Sequence, residues 1–369
     1  MNTPTRLLAL LLFLSPPAWW WQTTGRADAL FDGQRSAWMG LADEVAADAL
    51  SPISPSDFST GSARFDGEWT VGTCLMAIVG LGHTIDRFPD TLDRYLRPMR
   101  TCASKLVQPE AMDFGSTAWG VRALDEPGFR GHAYLGYIGY ALGVLRSHDP
   151  EFAFAEEHDK IIDGLAAQLE RRPIWALQTY PGEAYPPDQA VVLAAIAAHP
   201  GDHRVLVERS LHQFRKIIDP STGLSYQAVR SDTGARVDGP RGSGAMFSSL
   251  WLVDASPELS RELYIAGRSE LFETVLTLGA MREYPRGEGG WGDIDSGPLI
   301  LGYSVSATGF AMGPAAAHGD RATFRALYRS SHLFGLAYPT TRGWRYATGL
   351  SLGNAILLAA ITTRTPPVE

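Results

Sequence analysis

Carboxylates, an imidazole and aromatic rings recur in this sequence in one kind of place, the polar stretch that precedes an apolar run. In chain order these stretches are Arg64-Phe65-Asp66-Gly67-Glu68-Trp69, then Phe129-Arg130-Gly131-His132, then residues 179–189. They continue with Asp238-Gly239-Pro240-Arg241-Gly242-Ser243, residues 289–298, and Gly343-Trp344-Arg345-Tyr346. Carboxylates and imidazoles are the side chains that donate and accept protons in general acid–base catalysis. The candidate catalytic residues are therefore Asp188, His132, Asp293, Asp295 and Glu68. The candidate substrate contacts are Trp69, Tyr137, Thr179, Tyr180, Tyr185, Arg241, Trp291, Trp344 and Tyr346. No Cys/His spacing matches a zinc site, and the chemistry these groups offer needs neither metal nor organic cofactor.

Each residue also has a plainer reading. Pro186-Pro187-Asp188 before an apolar run is a helix-start signal, so Asp188 can be a cap. Ser243 and Asp295 can be caps too, His132 a satisfied structural imidazole, and Trp69, Trp291 and Trp344 packing residues. Caps alone do not account for so many polar types in equivalent positions, and the set points to one pocket. Within it Asp188 is expected to be the most sensitive acid, with His132 beside it and its pKa raised by burial near Tyr180 and Tyr185. On the neighbouring apolar run Tyr137 and Tyr140 share a face at i, i+3. One of Tyr134, Tyr137 and Tyr140 is expected to face the pocket and two to pack.

The elements that must position these residues alternate strictly. Six runs are apolar and small: Val71–Gly82, Ala133–Leu145, Ala190–Ala198, Ala245–Val253, Ser304–Ala317 and Leu350–Ile361. Six are amphipathic and charged: Ala29–Leu50, Thr91–Leu106, Phe152–Glu170, Asp202–Ile218, Glu258–Leu278 and Arg321–Leu336. Apolar helices must be buried on most sides, so the charged ones wrap them. Strand signals are weak. Successive repeats lie about fifty to sixty residues apart, and no end hairpin reads as a polar cap. The expected fold is all-α, an (α/α)6 barrel over residues 28–369. Proline-bearing breaks at 148–150, 199–202 and 254–257 make the inner-to-outer links short. The long outer-to-inner links, and the chemistry, then share the other mouth, where helix N-termini favour acidic groups.

Arg6 followed by the apolar run Leu7–Leu14 reads as an export signal over residues 1–27, cut after Ala27. The rival is an uncleaved anchor with Trp19-Trp20-Trp21 at a membrane interface. A periplasmic or secreted location follows, with a membrane partner only if that segment is retained. Net charge of −8 and a pI near 5.6 argue against a nucleic-acid partner. Two cysteines, Cys74 and Cys102, either pair or are separate buried thiols.

Several segments in this order resemble the linalool dehydratase/isomerase family. They are Gly131-His132 with the Tyr-rich helix after it, Tyr180 to Gln189 leading into Val191-Val192-Leu193-Ala194, and Ile217-Ile218-Asp219-Pro220 with Gly223-Leu224-Ser225-Tyr226. Pro240-Arg241-Gly242-Ser243, Trp251-Leu252 and Asp254 complete the set, which spans roughly residues 125–265. The resemblance implies an (α/α)6 fold, export, homo-oligomeric assembly and cofactor-free dehydration and isomerisation of an allylic terpene alcohol. It places the family histidine at His132, a structural cysteine at Cys102 and the two active-site cysteines at Thr179 and Asp188, neither of which is cysteine here. The reading is an exported acid–base hydro-lyase/isomerase on a small alcohol. Two alternatives stand beside it: a glycoside hydrolase or polysaccharide-lyase-like enzyme pairing Asp188 with Asp293, Asp295 or Glu68, and a non-catalytic scaffold.

Overall fold

The apolar runs pack side by side until the last meets the first. The computed structural model describes residues 19–108, 113–126, 133–171 and 176–364. Its helices are α1 (19–31), α2 (Arg35–Leu50), α3 (Ala63–Arg87), α4 (Leu92–Leu106), α5 (Asp113–Trp119), α6 (Leu135–His148), α7 (Ala155–Arg171) and α8 (Pro186–Ala197). They continue with α9 (Arg204–Phe214), α10 (Gly242–Ala255), α11 (Pro257–Glu270), α12 (Val305–Phe310), α13 (Met312–Ala317), α14 (Arg321–Phe334) and α15 (Leu350–Thr362). Helix α3 packs on α6, α6 on α8, α8 on α10, α10 on the α12–α13 pair, that pair on α15, and α15 on α3. The ring is closed. Outside it, α2 covers α3 and α15, α4 covers α3 and α6, α7 covers α6 and α8, and α9, α11 and α14 cover α8, α10 and α12–α13. The chain is an (α/α)6 barrel.

Composition explains the two rings. In α8 every residue from Pro186 to Ile196 is buried; all but Asp188 are uncharged, and Asp188 is met by two hydroxyl donors. In α4 burial falls on Tyr95, Met99, Cys102, Ala103 and Leu106, one stripe of a 3.6-residue period. Small residues set the inner spacing. A Cβ on Gly136 would stand 2.9 Å from the Val192 backbone nitrogen, so α6 and α8 meet backbone to backbone there.

Three runs depart from the expected pattern. The stretch Ala29–Leu50 is broken at Gly33, whose φ of 66° ends α1. The stretch Ser304–Ala317 splits near Ala311, because Pro314 cannot donate to the Phe310 carbonyl four residues back. The helix expected to reach Leu278 stops at Glu270, and the chain enters a hairpin. The strands are β1 (Tyr226–Val229), β2 (Arg236–Pro240), β3 (Phe272–Val275), β4 (Leu278–Arg282), β5 (Leu299–Ile300), β6 (Tyr303–Ser304), β7 (Ala337–Pro339) and β8 (Trp344–Tyr346). They form a β1–β2 pair, a β3-β4-β6-β5 sheet and a β7–β8 pair, all antiparallel. All lie in outer-to-inner links, which thicken one mouth. Their alternation is too short to register against helical periodicity. The α6–α7, α8–α9 and α10–α11 links stay short, so the other mouth is plain.

Helix α1 runs without a break through Ala27 and Asp28, the bond where the export signal was expected to end. Its Thr23, Ala27 and Leu30 are buried. Among the described residues no helix is long and apolar enough to cross a membrane.

Candidate active site

At the thick mouth the N-terminal turns of the inner helices and their preceding loops enclose a cavity of about 230 Å³. That is just below the usual size for a drug-sized ligand, so it suits a small molecule or one unit of a longer one. Its polar wall carries Glu68, Asp188 and Asp295, with Tyr137, Thr179, Tyr180, Tyr185 and Trp69 around them. Its floor is apolar, with Leu75, Phe247, Phe310 and Ile356.

The loop before α8 is held rigidly. Thr179 N–H donates to the Glu183 carbonyl at 3.0 Å, and Gly182 between them takes φ 83°, which that turn requires. Trp119 Nε1 donates to the Thr179 carbonyl at 2.9 Å, and Val229 N–H ties Ala184 to β1 at 3.0 Å. The Pro186-Pro187 start then places Asp188 in the first turn of α8. Asp188 is not a cap: Tyr185 holds that position without a side-chain bond. Its carboxylate instead accepts one hydroxyl from Tyr137 on α6 and one from Thr179. Of the three tyrosines on that helix run, Tyr137 lines the cavity. Tyr140 donates to Asp254 toward the plain mouth, and Tyr134 packs on Gly115.

Glu68 sits on α3, where Tyr180 donates to its Oε2 at 3.0 Å and Arg64 stacks 4.3 Å above the Tyr180 ring. Burial pushes Glu68 up to about 8; the charges of Asp295 and Asp188 add to this, while Tyr180 and Arg64 oppose it. Asp295 keeps surface open to solvent, but the protein crowding its carboxyl, followed by Asp293 and Asp188, pushes it up to about 7. Burial raises Asp188 as well, and the Thr179 and Tyr137 hydroxyls pull it back. All three acids are therefore raised, and Asp188 differs from the other two in having two hydroxyl donors that favour its anion against burial.

Other sequence-selected residues lie elsewhere. Asp293 lines a shallow groove beside the cavity and is bonded by Arg241, which also pairs with Asp238 at 2.7 Å. Trp291 is almost fully exposed. Trp344 carries Arg26 of α1 at 3.7 Å over its ring, and Tyr346 meets the Tyr328 hydroxyl at 3.0 Å beneath the sixth loop. Trp344 thus serves the contact with α1 and Tyr346 the contact with α14, both within the β7–β8 hairpin of the sixth link. His132 lies outside the described residues. Sequence reading missed Arg64, Gln227, Phe247 and Glu283. The fully buried Glu283 accepts from Ser243 N–H at 3.1 Å and Oγ at 2.7 Å, and burial pushes it up to about 7. It follows β4, between the helix expected to end at Leu278 and the polar link from residue 289, where no element was read, so nothing marked it as facing α10.

Among the described residues the one His/Asp group with metal-ligand proximity is His158, Asp159 and His199, at the plain mouth. Arg146 already supplies its cation, 2.5 Å from Asp159 and 3.3 Å from His158.

No protein-family model and no curated protein matches the sequence. Solved structures do match in fold. One is an α-1,6-mannanase of glycoside hydrolase family 76 from Salegentibacter sp. HEL1_6, an inactive variant with two aspartates replaced by alanine, in complex with α-1,6-mannotetrose. It superposes with a TM-score of 0.51 over 88% of this chain and 98% of that one, at 14% identity. Another is the family 76 α-mannanase of Bacteroides thetaiotaomicron, with a TM-score of 0.47 over 79% of this chain and 84% of that one, at 8% identity. The likeness is one of fold, the (α/α)6 barrel.

Proposed function

We propose that this protein is a glycoside hydrolase-like enzyme that uses paired carboxylates on a sugar substrate. The observation that carries the reading is the gathering of Glu68, Asp188 and Asp295 in one cavity, with two hydroxyl donors on Asp188 alone. Glu68, protonated at neutral pH, donates its proton to the leaving glycosidic oxygen. Asp188, held as the anion by Tyr137 and Thr179, either activates water or attacks the anomeric carbon. Asp295 takes the remaining carboxylate position. Asp188 was expected to be the acid, and burial does raise it; the anionic role is assigned to it here because its two hydroxyl donors oppose that rise while Glu68 is pushed up to about 8. Trp69 and Tyr185 offer rings for a pyranose face. The mannanase likeness supports a carbohydrate substrate through fold alone.

A second reading keeps the resemblance to linalool dehydratase/isomerase. The apolar floor of Leu75, Phe247, Phe310 and Ile356 favours it: Glu68 would protonate an alcohol and Asp188 take a proton from carbon. Thr179 and Asp188 replace the cysteines of that family, and Cys74 and Cys102 are buried away from the cavity wall. The test is a panel of α-linked oligosaccharides, mannosides included, beside allylic terpene alcohols. Release of reducing ends from the sugars is expected. Conversion of a terpene alcohol with no sugar cleaved would sink the hydrolase reading.

A further inference from the structure

The carboxamide of Gln227 is a polar group of the cavity to which the hydrolytic steps give no role. Gln227 lines the cavity from strand β1, is only 6% exposed, and its Oε1 has no hydrogen-bond partner among the described residues. A buried polar atom without a partner costs stability, and native structures keep few of them. The backbone around it fixes its place. Val229, on the same buried face of β1, donates to the Ala184 carbonyl at 3.0 Å, which ties the strand to the loop before α8. The side chain lies against the first turn of α10. A Cβ on Gly244 would stand 2.0 Å from Gln227 Oε1 and 2.9 Å from Pro187 Cγ, so glycine at 244 leaves the room that the carboxamide fills. Gly244 and Pro187 line the cavity too, and Gln227 is thus lodged where the starts of α8 and α10 meet.

Hydroxyls of the same wall are committed elsewhere. Tyr137 and Thr179 donate to Asp188, Tyr180 to Glu68, Tyr185 to Glu183 and Ser243 to Glu283. The partner that completes Gln227 therefore comes with the ligand. A carboxamide carries an acceptor and two donors, and a half-turn about its last bond exchanges them. Its natural complement is a hydroxyl, which both donates and accepts.

We propose that Gln227 is a specificity-determining residue of the cavity: it hydrogen-bonds a ring hydroxyl of the sugar unit bound there, one that takes no part in bond cleavage. The assignment rests on the glycoside-hydrolase reading and narrows it. An allylic terpene alcohol has one oxygen, and protonation by Glu68 uses it, whereas a sugar ring has further hydroxyls. A site built around such a bond rejects a ligand lacking the hydroxyl far more strongly than an apolar wall rejects an extra methylene, because the buried group is left unpaired. The cavity should therefore refuse one particular deoxy sugar.

The test measures kcat/KM on the shortest α-linked oligosaccharide that the panel shows cleaved, and on its monodeoxy analogues, with the parent chain and Gln227→Met. In the parent, one analogue should lose about 10- to 100-fold. In Gln227→Met the natural sugar should lose about as much, and that analogue little more, since the partner is already gone. Losses for the other analogues should match in the two chains. Melting should not fall, because the substitution removes a buried atom that has no partner. Gly244→Ala, whose Cβ evicts the carboxamide, should show the same selective loss and decides the matter should Gln227→Met fail to fold. Equal losses in parent and variant for every analogue would overturn the assignment and leave the hydrolase reading standing. No cleavage of any sugar in the panel would sink both.

Discussion

The Tyr180 hydroxyl donates to Glu68 Oε2 over 3.0 Å and so joins the loop before α8 to the first inner helix. That bond stabilises the charged form of Glu68, against burial that pushes it up to about 8. As the proton donor, Glu68 gives an activity that declines as pH rises through that value. Tyr180→Phe removes the donor, so the alkaline limb should move to higher pH. Glu68→Gln should remove the limb and lower kcat by about 10²–10⁴-fold, the usual loss for a general acid. The pH–rate profile on the substrate found in the panel checks both.

Asp188 depends on two hydroxyls from different elements. Asp188→Asn keeps the shape and removes the base, with an expected loss of about 10²–10⁴-fold at unchanged melting temperature. Thr179→Val and Tyr137→Phe each withdraw a donor from the anion, which raises the pKa of Asp188. In both variants the acidic limb of the profile should move to higher pH. A limb that stays in place would assign the base to Asp295 instead.

The barrel was legible because its signal is redundant. Six apolar runs alternate with six charged ones, and a misread boundary such as Glu258–Leu278 leaves the alternation intact. The mouth was legible for the same reason: every outer-to-inner link was visibly polar. Which link residues turn inward was not legible. Trp344 and Tyr346 look like Trp69 and Tyr180 in sequence, yet the β7–β8 hairpin carries Trp344 to Arg26 and Tyr346 to Tyr328 instead of to the cavity. Asp188 was read as the foremost acid with a helix cap as its plainer alternative, because proline precedes it, and its bonds to Tyr137 of α6 and Thr179 were beyond sequence reading. Glu283 gave no local sign at all, since its partner Ser243 is forty residues away.

Several buried acids make stability depend on pH. Glu68, Glu283 and Asp254 are pushed up to about 8, 7 and 6. A carboxyl whose pKa is raised by folding contributes stability below its unfolded value, and loses it as pH climbs to the folded one. Buried His83, His158, His318 and His332 are held down to about 4. They stay neutral in the fold and cost stability once pH drops below about 6.5, where the unfolded chain takes up protons. Melting temperature should rise from pH 8 toward 6.5, where only the acids act, and level off below it, where the histidines oppose the acids. Glu68→Gln should flatten the upper slope, and calorimetry across that range checks it.

Helix α1 is fastened from Thr24 to Asp32. Arg26 stacks on Trp344, Thr24 bonds Arg329, and Asp28 pairs with Arg325 at 2.6 Å. A chain beginning at Trp19 keeps all of these. A chain beginning at Asp28 loses the first two and leaves the buried Arg329 without its Thr24 partner. The shorter chain should melt a few degrees lower, since about 1 kcal/mol moves a domain of this size by no more than about 2–4 °C. Comparing the two chains by thermal unfolding checks the size of the effect.

Cys74 on α3 and Cys102 on α4 are free thiols, both almost fully buried and in hydrogen-bonding contact. The Cys74 contact, then burial, pushes the Cys102 thiol well above its ordinary range. A thiol reacts as its thiolate, so neither cysteine should label in the native protein at neutral pH. Both should label once the protein is unfolded without reductant, giving two thiols per chain. Cys74→Ala and Cys102→Ala should each lower stability by about 1 kcal/mol or more through the small cavity left behind, with kcat unchanged, because neither lines the acid-bearing wall. Rapid labelling of either thiol in the folded chain, or loss of activity on alanine replacement without loss of stability, would return cysteine chemistry to the site.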